Sequence, residues 1–255
     1  MIKFFRNIRK SLLAQGKTAN YIKYAIGEII LVVIGILIAL SVNNLNESKN
    51  LHKKELLLLK NLKSDLNADI KRLINDDSIY AVKNFQTTIG IDLFYKAKSI
   101  KDIDTINKLT SAYWSALYIN DNTYLEMINT GSLYNLKNKI LQEKIIEYYV
   151  MVNADKNFIN EINLEQAFLY NKSPNFYPYK FLVNQLKEPK IDIKLIDTSW
   201  INNPNSEVYL AVENYLNAQQ SGNQIYRRII YKRILSTANK LLADIDTYLK
   251  EQYVK

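Results

Sequence analysis

The feature that most constrains this chain is an apolar run close to its N-terminus. Residues 25–42 read AIGEIILVVIGILIALSV, with Glu28 as their only charged side chain. A helix of this length rises about 27 Å, close to the roughly 30 Å hydrocarbon core of a bilayer. Its twelve Ile, Leu and Val residues favour insertion by roughly 0.3 to 0.6 kcal/mol each, which outweighs a cost of at most about 3 kcal/mol for Glu28. The run therefore predicts a single N-terminal transmembrane helix within residues 18–44.

Charges on the two sides of this run predict its orientation. Six basic residues precede Glu28, the first acidic residue of the chain, whereas the lysines that follow the run are mixed with glutamates. By the positive-inside rule, residues 1–17 form a cytoplasmic basic amphipathic segment that lies on membrane lipid, and residues 45–255 form a periplasmic domain. We thus expect a protein of the inner (cytoplasmic) membrane. The alternative is a cleaved signal peptide, because Ala39-Leu40-Ser41 resembles a cleavage site.

The remainder of the chain has the pattern of helices. Only six Gly and four Pro occur in 255 residues, which disfavours turn-rich β structure. Leu45, His52, Leu59, Leu66 and Leu73 recur every seven residues, which predicts a helix that packs either against later helices of this chain or in a coiled coil. We therefore expect an all-α fold, with an extracytoplasmic bundle of about four to six helices.

Residues that cap or break helices predict the boundaries of the later elements. In the first half of the chain we expect a break at 76–78, helices at 78–98 and 102–118, and a helix capped by Thr123 and ended by Gly131. A long helix should follow within 132–170, and an irregular region from Pro174 to Pro204, with an N-cap at Asn203. The last segment should have a break or kink at Ser221–Gly222 and an apolar seam of Tyr231, Ile234, Ala238, Leu241, Ile245 and Tyr248.

Residue types that common catalytic chemistry requires are scarce. The chain has no Cys and one His, His52, which excludes a thiol nucleophile, a disulfide framework and a His-rich metal site. The acid pairs Asp76/Asp77, Asp102/Asp104 and Asp244/Asp246 are typical of solvated caps and turns. We predict no catalytic, cofactor-binding or metal-binding residue, and no enzymatic activity.

One stretch, residues 226–233, interleaves basic and aromatic residues and has two interpretations. Such a stripe could hold an anionic polymer or lipid head groups. The interpretation that we favour is a solvated helix face whose Lys and Arg stems cover apolar surface. Because the stretch is expected in the periplasm, we predict no nucleic-acid partner.

Small and polar side chains inside the apolar run are candidate interaction residues. Gly27, Gly35 and Ala39 form a small-residue stripe that would let another helix approach closely, and Glu28 would flank it. These residues predict self-association or a protein partner within the membrane. The alternative for Glu28 is a carboxylate near the interface that is hydrated or paired with Lys23.

The segment KYAIGEIILVVIGILIAL, at residues 23–40, lies in an N-terminal block, residues 1–47, that resembles an uncharacterised family of short single-pass membrane proteins from Bacteroidota. A looser resemblance covers residues 123–149, TYLEMINTGSLYNLKNKILQEKIIEYY. The resemblance implies an inner-membrane anchor with a periplasmic helical domain, and it implies no activity.

These observations together favour a membrane-anchored interaction or scaffold protein of the bacterial envelope. A second hypothesis is a periplasmic sensor domain, which would need a separate signalling partner because the cytoplasmic part is short. A third hypothesis, a membrane-bound enzyme, has no supporting constellation of residues.

Overall fold

The computed structural model describes residues 18–110, 115–172 and 198–253, and these contain helices and no strand. This confirms the all-α prediction. The elements, in chain order, are α1 (Thr18–Phe94), α2 (Ile100–Leu109), α3 (Asn122–Asn129), α4 (Lys139–Lys172), a 3₁₀ helix (Ser199–Asn202), α5 (Glu207–Arg227), a π-helical segment (Arg228–Leu235) and α6 (Ser236–Tyr253).

The chain divides into two compact units, unit 1 (Met1–Leu57) and unit 2 (Leu58–Lys255). The described part of unit 1 is helical throughout. The predicted division at residues 44 and 45 concerns membrane topology and stays a prediction.

The seven-residue repeat of α1 packs inside unit 2. Leu59, Leu66 and Leu73 are fully buried, whereas Leu45 in unit 1 is exposed. The repeat thus serves packing against helices of the same chain. The predicted C-terminal seam is confirmed for Ile234, Ala238, Leu241, Ile245 and Tyr248, which are all buried. The side chain of Tyr231, the first residue of the predicted seam, lies outside what the structure describes.

A second group of buried side chains forms another part of the hydrophobic core of unit 2. It combines residues from the end of α1, from α2, from the 3₁₀ helix and from α5: Phe94, Ile103, Ile106, Trp200, Ile201, Tyr209, Val212, Tyr215 and Leu216.

The predicted break at Asp76–Ser78 is wrong, because α1 continues to Phe94. Asp77 accepts a hydrogen bond from Arg227 of α5, at 3.0 Å from Nε, and Ser78 donates from its hydroxyl to the carbonyl of Ile74 at 3.0 Å. These side chains therefore satisfy their polar groups without ending the helix.

Two boundaries near residue 120 also differ from the prediction. The helix expected at 102–118 ends at Leu109, with Thr110 as its C-cap, and residues 115–120 are irregular. Thr123 does not cap α3, since Asp121 occupies the N-cap position and the Thr123 hydroxyl donates to Asp65 at 2.5 Å. A tertiary hydrogen bond has replaced the local one. Gly131, at φ +68°, follows α3 and confirms the predicted stop.

The later boundaries are partly as predicted. The long helix α4 is confirmed but begins only at Lys139. Asn203 is not an N-cap, because it is the C-cap of the 3₁₀ helix, and Ser206 caps α5 instead. The helix is not interrupted at Ser221–Gly222, where a Cβ on Gly222 would overlap the Gln166 side chain. The predicted irregular region lies outside the described residues except for 198–204.

Candidate functional site

The predicted interaction residues lie on an exposed helical segment. The large apolar side chains from Ile26 to Val42 are between 47% and 63% exposed, and no residue of the most apolar window is buried by the rest of the described chain. Soluble monomers rarely expose a contiguous apolar surface of this extent. By length and composition, this part of α1 is a candidate membrane span.

The glycines of this segment differ from the other described glycines. A Cβ at Gly90 or Gly222 would overlap Thr110 or Gln166, and Gly131 has a positive φ. A Cβ at Gly27 or Gly35 would meet nothing within 4 Å. A mid-helix glycine costs about 1 kcal/mol relative to alanine, so these two glycines carry a cost that packing within the described part of the chain does not explain.

The other predicted site residues of the segment are also accessible within the chain. Ala39 is exposed and Glu28 is partly exposed. With about 100° per residue, Gly35 and Ala39 lie about 40° apart around the helix, and Gly27 lies about 80° from Gly35. The structure thus places the three small residues on a broad face. Glu28, seven residues before Gly35 and about 20° from it around the helix, lies within this face and does not flank it as predicted.

His52 and the predicted acid pairs do not come together. His52 Nδ1 lies 3.4 Å from the Glu55 carboxylate, one turn away on α1. Five of the six acids have separate partners: Asp77 pairs with Arg227, Asp102 with the backbone N–H groups of Lys98 and Ser99, Asp104 with Lys108, Asp244 with Lys144, and Asp246 with Lys63. The acid pairs therefore form caps and ion pairs between or within helices.

The Asp102 cap has the electrostatics expected of a capping box. The N–H groups of Lys98 and Ser99 donate to its carboxylate at 3.0 and 2.9 Å, and the Ser99 hydroxyl donates at 2.8 Å. The hydrogen bond from the Lys98 backbone is the main cause that lowers the pKa of Asp102, followed by that from the Ser99 side chain. This carboxylate stabilises the start of α2.

Asp69 lies in a set of buried polar contacts that were not predicted from the sequence. Asp69 is fully buried and accepts a hydrogen bond from Arg72 at 2.5 Å. The backbone N–H of Asn120 donates to both of its carboxylate oxygens at 3.1 Å. Burial raises the pKa of Asp69, although the Asn120 N–H and the Arg72 guanidinium oppose this effect.

Asp65, one turn earlier on α1, extends this group. Its carboxylate accepts from the Asn120 side-chain amide at 2.8 Å and from Thr123 at 2.5 Å. Arg72 also donates to the carbonyl of Tyr118 at 2.6 Å and lies 4.6 Å from the centroid of the Tyr118 ring. We call Asp65, Asp69, Arg72, Asn120 and Thr123 the Asp69 network.

Side chains also hydrogen-bond to the backbone at Ser115, the first described residue of the irregular segment 115–120. The Tyr80 hydroxyl accepts from the Ser115 N–H at 3.3 Å, while Asn163 at 3.2 Å and Tyr226 both donate to the Ser115 carbonyl. The Tyr80 and Tyr226 rings stack at 4.0 Å. Side chains from α1, α4 and α5 therefore satisfy the backbone of residues 115–120, which has no helix of its own to do so.

A second fully buried acid, Asp155 on α4, pairs with the π-helical segment. Arg233 Nε donates to the Asp155 carboxylate at 2.9 Å, and the Arg233 side chain is 53% exposed. Arg227 and Arg233 thus form ion pairs with other helices of the chain, while Arg228 and Lys232 lie on an exposed face. The basic stretch at 226–233 is divided between internal ion pairs and a solvated face.

The sequence held a signal for both buried acids. Asp69 continues the spacing of Leu62, Leu66 and Leu73, and Asp155 lies between Val152 and Ile159, so each occupies a core position. A charged residue at a core position requires a partner. Local sequence does not identify that partner, because Asn120 and Arg233 are 51 and 78 residues away in the chain.

In the described ranges, no three His, Cys, Asp or Glu side chains come together in a way that could hold a metal ion. The geometry there is that of structural polar contacts and an exposed apolar helix.

Comparison with known proteins gives one result. A model described as a family of unknown function, DUF6090, matches residues 28–173, which is more than half of the chain. The match contains most of the apolar run, α2 to α4 and the whole Asp69 network. No curated protein and no solved structure matches the chain.

Proposed function

Since this chain belongs to DUF6090, a family of unknown function, we propose its role from its own geometry. It is a single-pass, non-enzymatic interaction or scaffold protein of the bacterial envelope. Its N-terminus lies in the cytoplasm, and its helical unit 2 presents binding surfaces in the periplasm.

The observation that carries this proposal is the exposure of the apolar part of α1. Burying a Leu or Ile side chain gains about 1.5 to 3 kcal/mol, and the run holds twelve Ile, Leu and Val residues that the described chain leaves uncovered. Lipid is the environment that covers such a helix on all sides. The six basic residues before Glu28 support the cytoplasmic position of the N-terminus.

Association within the membrane is the finer part of the proposal. Gly27 and Gly35 have neither a positive φ nor a close neighbour among the residues that the structure describes. Small residues on a membrane helix allow a second helix to approach, so that packing and weak hydrogen bonds stabilise the pair. We infer that the face of Gly27, Gly35 and Ala39 meets another membrane helix, either in a second copy or in a partner protein, with Glu28 on the same face.

A fusion experiment tests the anchor and its orientation. Alkaline phosphatase joined after Lys255 should be active, since the enzyme folds only in the periplasm, and the fusion should stay in the membrane pellet at alkaline pH. The matched control is alkaline phosphatase joined after Lys17, which should be inactive. An inactive fusion after Lys255, or its release from the membrane, would overturn the proposed topology.

A cross-linking experiment tests the association separately. The chain has no cysteine, so a single cysteine at Val32 or Ala39 reports helix contacts without background. Gly35→Leu should abolish the cross-link, whereas Val33→Leu, about 160° around the helix from Gly35, should retain it. Equal cross-linking in both variants would reduce the span to an anchor and place any interaction in unit 2.

A sensor is the second candidate function. It requires a ligand site in unit 2, and a cleft between α3 and α4, lined by apolar and charged side chains, is a candidate for that site.

A further inference from the structure

The cleft lies in unit 2, between the start of α3 and the middle of α4, and has a volume of about 280 Å³. Ile119 and Val152 line it and are 5% and 4% exposed, so its base is apolar and fixed. Sites for drug-sized ligands measure about 300 to 1,000 Å³. The cleft therefore suits a molecule smaller than these.

Two stacked tyrosines form one wall of the cleft. The rings of Tyr124 and Tyr149 lie 4.0 Å apart with an angle of 10° between their planes. Tyr149 is 5% exposed, and its hydroxyl donates to the carbonyl of Asn120 at 3.4 Å. Because Asn120 is held by Asp65 and Asp69, the wall is positioned before any ligand arrives, which lowers the entropic cost of binding.

The polar lining of the cleft holds opposite charges that do not pair with each other. Asp121 is the N-cap residue of α3, yet its side chain makes no capping hydrogen bond. Lys156 on α4 lines the same cleft, and within the described ranges neither residue takes part in an ion pair. Asn153, one turn before Lys156, adds an amide between Tyr149 and the ammonium group.

The potential inside the cleft is not uniform. Burial is the largest cause that raises the pKa of Tyr149, followed by Tyr148 and then by the charges of Asp69, Asp65 and Asp121. The part of the cleft at Tyr149 therefore lies in a negative field. Lys156 is seven residues further along α4, or about 10 Å along the helix axis. A lone anion would be repelled at Asp121, and a lone cation would be repelled at Lys156.

We propose that this cleft binds a small zwitterion with an apolar body, of the amino-acid or dipeptide class. The ligand's ammonium group meets Asp121, its carboxylate meets Lys156 and Asn153, and its apolar side chain lies on Tyr124 above Ile119 and Val152. This assignment concerns unit 2 alone, so failure of the proposed membrane topology leaves it unchanged.

Calorimetric titration of the full chain in detergent tests the site, with L-leucine and L-leucyl-L-leucine as the two probes. At least one probe should saturate, and the stronger of the two shows whether the site takes the amino acid or the dipeptide. Asp121→Asn and Lys156→Gln should each weaken binding at least about tenfold, since each removes a charge-assisted hydrogen bond. The matched controls are Asp92→Asn and Lys137→Gln, which alter exposed charges away from the cleft and should leave binding unchanged.

Ligand analogues test the same charges without altering the protein. N-acetyl-L-leucine lacks the ammonium group, and L-leucinamide lacks the carboxylate. If the amino acid is the ligand, both analogues should bind the natural chain at least about tenfold more weakly than L-leucine. If the dipeptide is the ligand, its acetylated and amidated forms are compared in the same way. Asp121→Asn should not weaken the acetylated analogue further, because the two changes remove the same contact. Absence of saturation by both probes up to about 10 mM, or equal binding of the charged probes and their analogues, would overturn the proposal.

Discussion

Tyr148 and Tyr149 are adjacent on α4 and both are buried, but their hydroxyl groups are in different situations. The Tyr149 hydroxyl donates to the carbonyl of Asn120, whereas the Tyr148 hydroxyl has no hydrogen-bond partner in the described part of the chain. A buried hydroxyl without a partner keeps its full desolvation cost. The hydroxyl groups of these two neighbouring tyrosines thus contribute to stability with opposite signs.

Substitution by phenylalanine should separate these two contributions. Tyr148→Phe should leave the free energy of unfolding unchanged or raise it by about 1 kcal/mol, because it removes an unpaired polar group. Tyr149→Phe should lower it by about 0.5 to 1.5 kcal/mol through loss of one hydrogen bond. Urea unfolding of the full chain in detergent, followed by circular dichroism, measures both. The interpretation fails if Tyr148→Phe is the more destabilising change.

Asp69 makes stability depend on pH in a defined direction. Burial raises its pKa in the folded chain above the ordinary value of 3.8, so the folded state holds the proton more tightly than the unfolded state. The contribution of Asp69 is therefore most favourable below pH 3.8 and is lost as the pH rises through the raised pKa. Asp69→Asn removes this titration.

The free energy of unfolding is measured for the natural chain and for Asp69→Asn between about pH 4 and pH 7. As the pH rises, the natural chain should lose stability relative to the variant. Asp92→Asn, an exposed acid on the same helix, is the control and should give a constant difference. A difference for Asp69→Asn that is constant, or that grows with pH, would contradict the assigned direction.

At the scale of the elements, α5, the π-helical segment and α6 follow one another without a gap, and the π-helical segment supplies the ion-pair partner of a buried acid. Arg233 reaches Asp155 from this segment, while Ile230 and Ile234 are fully buried. A π-helical turn holds an extra residue and changes the direction of the side chains that follow it. The segment thus carries both the guanidinium that pairs with α4 and apolar residues of the core.

Removal of the Arg233 charge should be costly. Arg233→Met leaves Asp155 buried without its ion-pair partner, which should lower the free energy of unfolding by about 3 to 5 kcal/mol. Adding Asp155→Leu should recover much of this loss, because the buried carboxylate is then gone. Lys232→Met, which changes the exposed neighbour, is the control and should have little effect; urea unfolding measures all three variants. A loss as large in Lys232→Met as in Arg233→Met would show that the ion pair is not the cause.

Two glycines in α1 should respond differently to alanine. Gly35→Ala meets no neighbour in residues 18–110, 115–172 and 198–253 and should leave the stability of unit 2 unchanged. Gly90→Ala gains about 1 kcal/mol of helix propensity but places a methyl group against Thr110, an overlap that typically costs about 1 to 3 kcal/mol. We therefore expect a net loss of up to about 2 kcal/mol for Gly90→Ala, measured by urea unfolding. Stabilisation by Gly90→Ala would show that Thr110 moves aside at no cost.

At the scale of the whole molecule, one helix contributes both an exposed apolar segment and core leucines. In unit 1 the apolar residues of α1 are uncovered, and in unit 2 Leu59, Leu62 and Leu66 of the same helix are fully buried. The apolar part of unit 1 is thus a candidate membrane span, whereas unit 2 has an apolar core of its own.

An intact anchor makes a simple prediction about the mature chain. If residues 18–44 remain as a membrane helix, the protein purified from membranes should have the mass of a chain that begins near Met1. Mass spectrometry of the intact protein measures this. A mature N-terminus at Val42 would show that the run is a cleaved signal peptide, after the cleavage-like site Ala39-Leu40-Ser41.

The sequence by itself determined the features that depend on composition and periodicity along the chain. These are the candidate membrane span, the all-α class, the long helix α4, the stop at Gly131 and the apolar seam of the last helix. Hydrophobicity and helical spacing are local properties, and a positive φ strongly favours glycine, so neither needs knowledge of distant residues.

The tertiary structure alone decided the features that depend on partners far away in the chain. Asp77 and Ser78 did not end α1, because Arg227 and the Ile74 carbonyl engage them, and Thr123 bonds to Asp65 and does not cap α3. Asp69 and Asp155 were recognisable as polar residues at core positions, but Asn120 and Arg233 became their partners only through folding. The cleft beside Tyr149 likewise exists because packing brings α3 against α4, which no local pattern of residues specifies.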